Sequence, residues 1–376
     1  MKITGAKIYT DNHVFEEGTI YTDEDRISPF SNDDMVLDAD GLLAIPGLVD
    51  IHFHGAVAND FCDSDIEGIS TIAKYEAQHG ILAICPATMT YGENKLSEIM
   101  KTAKKYYQTR NSDPSAATFV GVNMEGPFIS PYKVGAQNPD FLQLPNGYFY
   151  EKLQKDSGNL IKLLDMAPEL TGSMDFIKEY SKEVNISLAH SNTDYDTAIL
   201  AFHNGARHMT HLFNAMPGIN HRNPGPIVAA KECNAEIEII ADGIHIHPAI
   251  VRLVFDMFDE DKVCLISDSM EATGLPDGEY HLGGQSVTVC GNKATLTNNE
   301  STIAGSVTNL FDCMKNAVQN MDIPIEAAVR AASETPAKAI GIDKDFGSLS
   351  IGKYANVLLI DTDMNIKCII NKGIIL

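Results

Sequence analysis

Positive charge is scarce in this chain: its 376 residues hold 28 lysines and arginines against 51 aspartates and glutamates, a formal net charge of -23. That balance argues against nucleic acid as a partner, because such binding rests on cations that neutralise phosphates. It argues equally against an anionic membrane surface. An anionic substrate would have to be held by a few local cations against an unfavourable overall field. Long apolar runs are missing too, and no window approaches the about 18 residues of a membrane span. The opening stretch, MKITGAKIYTDNHVFEEG, alternates like a strand and has no uninterrupted apolar signal core. The seven cysteines are scattered, odd in number and form no Cys-x-x-Cys pair. Several sit inside apolar runs and read there as buried free thiols, which suits a reducing compartment and makes the cytoplasm the expected location. Neither an internal repeat nor a Gly-x-Gly-x-x-Gly turn is present.

What the chain does have is a globular composition, 44% hydrophobic and 21% charged, with length enough for one large core or two domains. Residues 1–47 and 347–376 are short β-like stretches, and they predict a small β-sandwich-like domain assembled from both termini. Pro46-Gly47 and Gly347 are the expected crossing points. Between them, over residues 48–346, apolar runs alternate with helical patterns. The predicted strands are 48–54, 81–88, 118–125, 161–168, 185–190, 206–211, 236–242 and 263–268. Runs such as Ile81–Ile84 and Ile237–Ala241 suit strands buried on both faces. About eight such units over roughly 300 residues predict an α/β fold of the (β/α)8 TIM-barrel type. A doubly wound open sheet is the competing layout. Residues 279–303 interrupt the rhythm with a β-hairpin insertion around Gly291-Asn292.

The polar residues that close these runs carry the chemistry. His52 and His54 end the first, and residues two apart on a strand face the same side, so both imidazoles can reach one ion. Glu125 closes the third, where a carboxylate is costly unless paired or bound to a cation. His190 and His211 end two later runs, and Asp268 ends the last. Each has an ordinary alternative: surface or structural histidines, an exposed loop glutamate, a helix-capping aspartate. Their shared position, at the edge where such a fold keeps its active site, favours a metal-dependent hydrolase. Imidazoles with a carboxylate suit zinc, iron or similar ions, and Asp268 could accept a proton from water. His245 follows another strand end and could touch substrate. Arg222, in a Pro-Gly turn, suits an anion as well as it suits a surface ion pair.

Several motifs together resemble the amidohydrolase superfamily. They are Ala39-Asp40-Gly41, Pro46-Gly47-Leu48-Val49-Asp50-Ile51-His52-Phe53-His54-Gly55 and Thr335-Pro336-Ala337-Lys338-Ala339-Ile340-Gly341. Met124-Glu125-Gly126-Pro127, His190-Ser191-Asn192, Thr210-His211-Leu212-Phe213-Asn214 and Ile303-Ala304-Gly305-Ser306 narrow the resemblance to the family of N-acetylglucosamine-6-phosphate deacetylases. That resemblance implies Glu125, His190 and His211 as metal ligands, with His52 and His54 available for a second ion, so one or two zinc or iron ions per subunit. It implies Asp268 as catalytic acid and base, and Ala136, Gln137, Asn214, Ala215, Arg222, His245, Ile303, Ala304 and Gly305 as contacts to a sugar phosphate. It also implies a homodimer, since the family's arginine reaches into the neighbouring subunit. Some members carry histidine where Gln137 stands, helping to polarise the amide. A galactosamine-epimer deacetylase, a cyclic-amide hydrolase and a non-catalytic barrel are the competing readings.

Overall fold

The apolar runs form parallel strands. In the computed structural model, which describes residues 1–376, six strands pair in sequence order: Val122–Glu125, Ile161–Met166, Asn185–Leu188, His208–Met209, Glu236–Ile240 and Val263–Ile266. Leu48–Asp50, Ile81–Ile84 and Thr118–Phe119 make a second parallel sheet. A parallel bridge between Ala87 and Asn123 links the two sheets. On the far side, the Asp268 amide donates to the His52 carbonyl at 2.9 Å. Every residue of Ile81–Ile84 and of Val263–Ile266 is buried, as expected of strands covered on both faces.

The intervening helices have local reasons to start where they do. Asp65 caps Ile66–Gln78 by accepting from the amides of Glu67 and Gly68. Asp194 caps Tyr195–Asn204 through the Thr197 amide, and Gly205 ends that helix with φ 123°. The first of these helices buries Ile69, Ile72, Ala73 and Ala77 against the strands. Burial of each larger apolar side chain is worth about 1.5–3 kcal/mol. The main apolar cluster, of 82 buried residues, is centred on this strand-and-helix region and reaches into the terminal sheet through Ile45 and Leu358 and into the meander through Val287 and Leu296, while a separate cluster of 11 lies in the terminal sheet.

The chain ends share an eight-stranded mixed sheet. Leu43–Pro46 pairs antiparallel with Val357–Ile360, which pairs with Ile366–Asn371, while Lys2–Tyr9 flanks it on the other side. Gly47 then carries the chain straight into Leu48–Asp50. A Cβ at Gly47 would stand 2.7 Å from the Leu82 side chain, which explains the glycine. Residues 278–303 form a four-stranded antiparallel meander, Gly278–Leu282, Gln285–Cys290, Lys293–Leu296 and Asn299–Ile303. It leaves the parallel core after Asp268 and rejoins it at Ser306, which bridges to Ser269. No helix is long and apolar enough to cross a membrane.

The regular strands stop earlier than their apolar runs. His52, His190, His211, Asp242 and Asp268 each lie two residues beyond the last strand residue, after Asp50, Leu188, Met209, Ile240 and Ile266. Three of them turn left-handed, with φ of 42° at His190, 24° at His211 and 50° at Asp268. The pairing ladder breaks there, and the side chains of His52, His190, His211 and Asp268 leave the strand direction to converge, while Asp242 turns to His245.

Candidate metal and active site

Glu125, the last residue of its strand, is the hub. His190 Nε2 lies 3.0 Å and His211 Nε2 3.3 Å from its Oε1, and those two nitrogens are 3.1 Å apart. On the other side, His52 Nε2 is 3.6 Å from Oε1 and His54 Nε2 3.5 Å from Oε2. Two groups of three, His52 with His54 and Glu125, and Glu125 with His190 and His211, each keep their ligand atoms within 4.8 Å of one another. Asp268 Oδ1 sits 3.2 Å from His54 Nε2. All six side chains are buried. The alternation His52-Phe53-His54 puts both imidazoles on the cluster side, while Phe53 packs into the core.

The surroundings of these rings suit a cation. His190 Nδ1 is 2.9 Å from the Lys133 carbonyl, and His52 Nδ1 is 2.9 Å from Glu238 Oε2. An N–H donated to those oxygens leaves each Nε2 lone pair turned inward. His52 Nε2 is buried with no hydrogen-bond partner, and the Nε2 atoms of His190 and His211 confront each other. Converging lone pairs beside a carboxylate are the arrangement a first-row divalent ion satisfies, so the residues present fit a metal. Burial pushes the Glu125 carboxyl up, but the charge of His52 and the hydrogen bonds of His190, His211 and His52 outweigh it and hold the group well below its usual range. Asp268 behaves alike: burial raises it, and the His54 hydrogen bond with the neighbouring imidazole charges lowers it further. That balance favours its ionised form.

A cavity of about 340 Å³ opens over the cluster, reached by His54, Glu125, His190, His211 and Asp268. Of the expected substrate contacts, Ala136, Gln137, Asn214, Ala215, His245, Ile303 and Gly305 line it. Asp242 holds His245, accepting at 2.7 Å from Nδ1. Burial pulls the His245 imidazole down, but this bond and the charge of Asp242 raise it overall. Asn214 donates to the carbonyls of His211 and Leu212. Two expected contacts lie elsewhere. Ala304 is fully buried behind the lining, and Arg222 is exposed, its guanidinium 2.8 Å from its own neighbour His221. No lysine or arginine lines the cavity.

Glu238 was not foreseen. Fully buried, it accepts from the His52 ring and, at 3.1 Å, from the His211 amide. A lone acid inside Ile237-Glu238-Ile239-Ile240 was the available signal, since a carboxylate within a buried run needs a partner. Asp242 carried a similar signal, standing after that run and three residues before His245. The linings Met89, Leu282, Ser301 and Thr302 had none, while Phe213 stood inside a quoted motif with no role attached.

The amidohydrolase family pattern matches residues 43–375. The chain belongs to the amidohydrolase family. This amidohydrolase is 32% identical to the N-acetylglucosamine-6-phosphate deacetylase of Bacillus subtilis (strain 168), over 99% of its own length and 96% of the relative's. It is 30% identical to the N-acetylgalactosamine-6-phosphate deacetylase of Escherichia coli O157:H7, over 90% of its own length and 89% of the relative's. Among solved structures, the Mycobacterium smegmatis N-acetyl-D-glucosamine-6-phosphate deacetylase in complex with N-acetyl-D-glucosamine-6-phosphate superposes with a TM-score of 0.92 at 26% identity. That match covers 100% of this chain and 98% of the other.

Proposed function

We propose that this amidohydrolase hydrolyses the acetamide of N-acetyl-D-glucosamine 6-phosphate, releasing acetate and D-glucosamine 6-phosphate, in the breakdown or recycling of amino sugars. The observation that carries the proposal is the meeting of Glu125, His190, His211 and Asp268 in one cavity, in a chain that matches such deacetylases over its whole length. We read the parallel strands as a closed (β/α)8 barrel over 48–346, with residues 1–47 and 347–376 as a small β domain and 279–303 as an insertion.

Glu125, His190 and His211 would hold one zinc or iron ion, and His52 and His54 with Glu125 a second. When bound, the ion supplies Lewis acidity toward the acetamide oxygen and acidifies water. Asp268 removes a proton from the attacking water, whose oxygen bonds to the acetyl carbon. His245, kept in place by Asp242, donates to the carbonyl oxygen as negative charge gathers on it. Asp268 then returns its proton to the nitrogen as the carbon–nitrogen bond breaks, leaving a neutral amine and acetic acid, which gives up its remaining proton to become acetate. Asn214, Ala136, Ala215 and the Ile303–Gly305 stretch would hold the sugar. Because the cavity has no cation of its own, we assign the phosphate to Arg222 of a second copy, which makes the working unit a homodimer in the cytoplasm.

The relative that acts on the galactosamine epimer supports a second reading with the same chemistry and a different sugar. Acetate release from N-acetylglucosamine 6-phosphate, its galactosamine epimer and the unphosphorylated sugar, by protein of measured metal content, separates the two. Preference for the first substrate by tenfold or more supports the proposal. Preference for the epimer replaces it, and silence on all three with metal bound sinks both.

A further inference from the structure

We infer that the loop Lys133–Gln137 is a clamp on the ligand set, with Gln137 and Gln285 as positioning residues that fix the orientation of Glu125. The inference rests on the metal reading above and deepens it. Gln137 lines the cavity, yet both ends of its amide are engaged inside the protein. Its Oε1 accepts from the Thr90 amide at 2.7 Å, and its Nε2 donates to Glu125 Oε2 at 2.7 Å. The Thr90 N–H dictates which end is oxygen, so the amino group has to face the carboxylate. The terminal torsion of a glutamate is soft, and one bond to Oε2 sets the carboxylate plane. Oε1 then faces His190 and His211.

The same loop grips a second ligand. The Lys133 carbonyl takes His190 Nδ1, and Gly135, with φ 61°, packs so closely that a Cβ there would stand 3.2 Å from His190 Cε1. The loop has no regular pairing of its own. It is tied to the antiparallel meander instead: Gln285 Nε2, at the start of Gln285–Cys290, donates to the Ala136 carbonyl at 2.5 Å and reaches the Gln137 carbonyl at 3.3 Å. Two side-chain amides in series thus connect the meander to Glu125. In this chain the amide at position 137 acts on the ligand carboxylate rather than on a substrate carbonyl.

Gln137→Met keeps the length of the side chain and removes both hydrogen bonds. Zn²⁺ affinity, measured on the full-length protein by competition with a chromophoric chelator, should fall about 10–100-fold, the usual consequence of losing a partner that orients a ligand. Turnover at saturating metal should fall while KM for the sugar phosphate stays within about twofold. Gln285→Met, on the outer side of the loop, should weaken Zn²⁺ in the same direction and by less, and it keeps the test open should the first variant misfold. Zn²⁺ affinity within twofold of wild type in the folded variants would overturn the inference. A raised KM with unchanged affinity would do the same, by making Gln137 a substrate contact. The binding isotherm involves no sugar, so a wrong substrate leaves it readable, whereas a wild type that takes up neither Zn²⁺ nor Fe²⁺ overturns the metal reading and this inference together.

Discussion

His190 and His211 meet Glu125 on different terms from His52 and His54. The first pair converge on a single carboxylate oxygen at 3.0 and 3.3 Å, from left-handed turns just past their strands. The second pair stand back at 3.6 and 3.5 Å, divided between the two oxygens, and His54 leans toward Asp268. Their outer partners differ as well: a backbone carbonyl behind His190, a buried carboxylate behind His52. The contrast teaches that one group is gathered tightly on a single carboxylate oxygen. The other is spread along a chain of carboxylates and imidazoles, Glu238 to His52 and Asp268 to His54, that orients its rings from outside. Burial pulls both imidazoles down, and the neighbouring carboxylates raise them.

The sharpest test leaves both groups standing. Asp268→Asn should retain metal in each and lower turnover by about 10²–10⁴-fold. Metal-replete variant protein with near wild-type turnover would remove Asp268 from the chemistry. A smaller effect should separate the groups: His211→Ala should weaken metal binding by more than about 100-fold and exceed the loss in His54→Ala, as titration of metal-free protein would read. Equal losses would erase the distinction. Next comes Glu238→Gln, expected to cost about 10-fold in affinity at the site holding His52, with the ion beside His190 little affected.

The smallest effect concerns pH. Asp60 caps the turn Phe61–Asp63 near His54, and burial raises its carboxyl from 3.8 to about 6. A raised folded value means that its contribution to stability is complete below about 4 and is lost as pH climbs through about 6. Asp60→Asn keeps the acceptor for the cap and removes the titration. The melting-temperature advantage of wild type over variant should therefore shrink between pH 4 and 6. A constant difference would show that Asp60 does not titrate there.

The strands were legible because buried parallel strands read as unbroken apolar runs, and Ile81–Ile84 or Val263–Ile266 could hardly be anything else. Their ends were not, since periodicity carries no trace of a change in φ at His190, His211 or Asp268. The candidate ligands were legible as polar stops at the ends of those runs. Glu238 was obscured for the opposite reason, as a polar residue inside a run whose apolar neighbours dominate the pattern. Arg222 marks another limit: a turn rich in proline and glycine says that a cation is displayed, and nothing about what it holds.

The left-handed turns also bear on how such a protein tolerates artificial selection. A histidine or aspartate at φ between 24° and 50° gives up backbone energy that glycine would not. Libraries screened for heat resistance alone should therefore accumulate glycine at positions 190, 211 and 268, each replacement relaxing the chain, the first two at the expense of metal binding and the third at the expense of turnover. Thermotolerant survivors of that kind would be well-folded and inert, so any screen on this scaffold has to score turnover alongside melting.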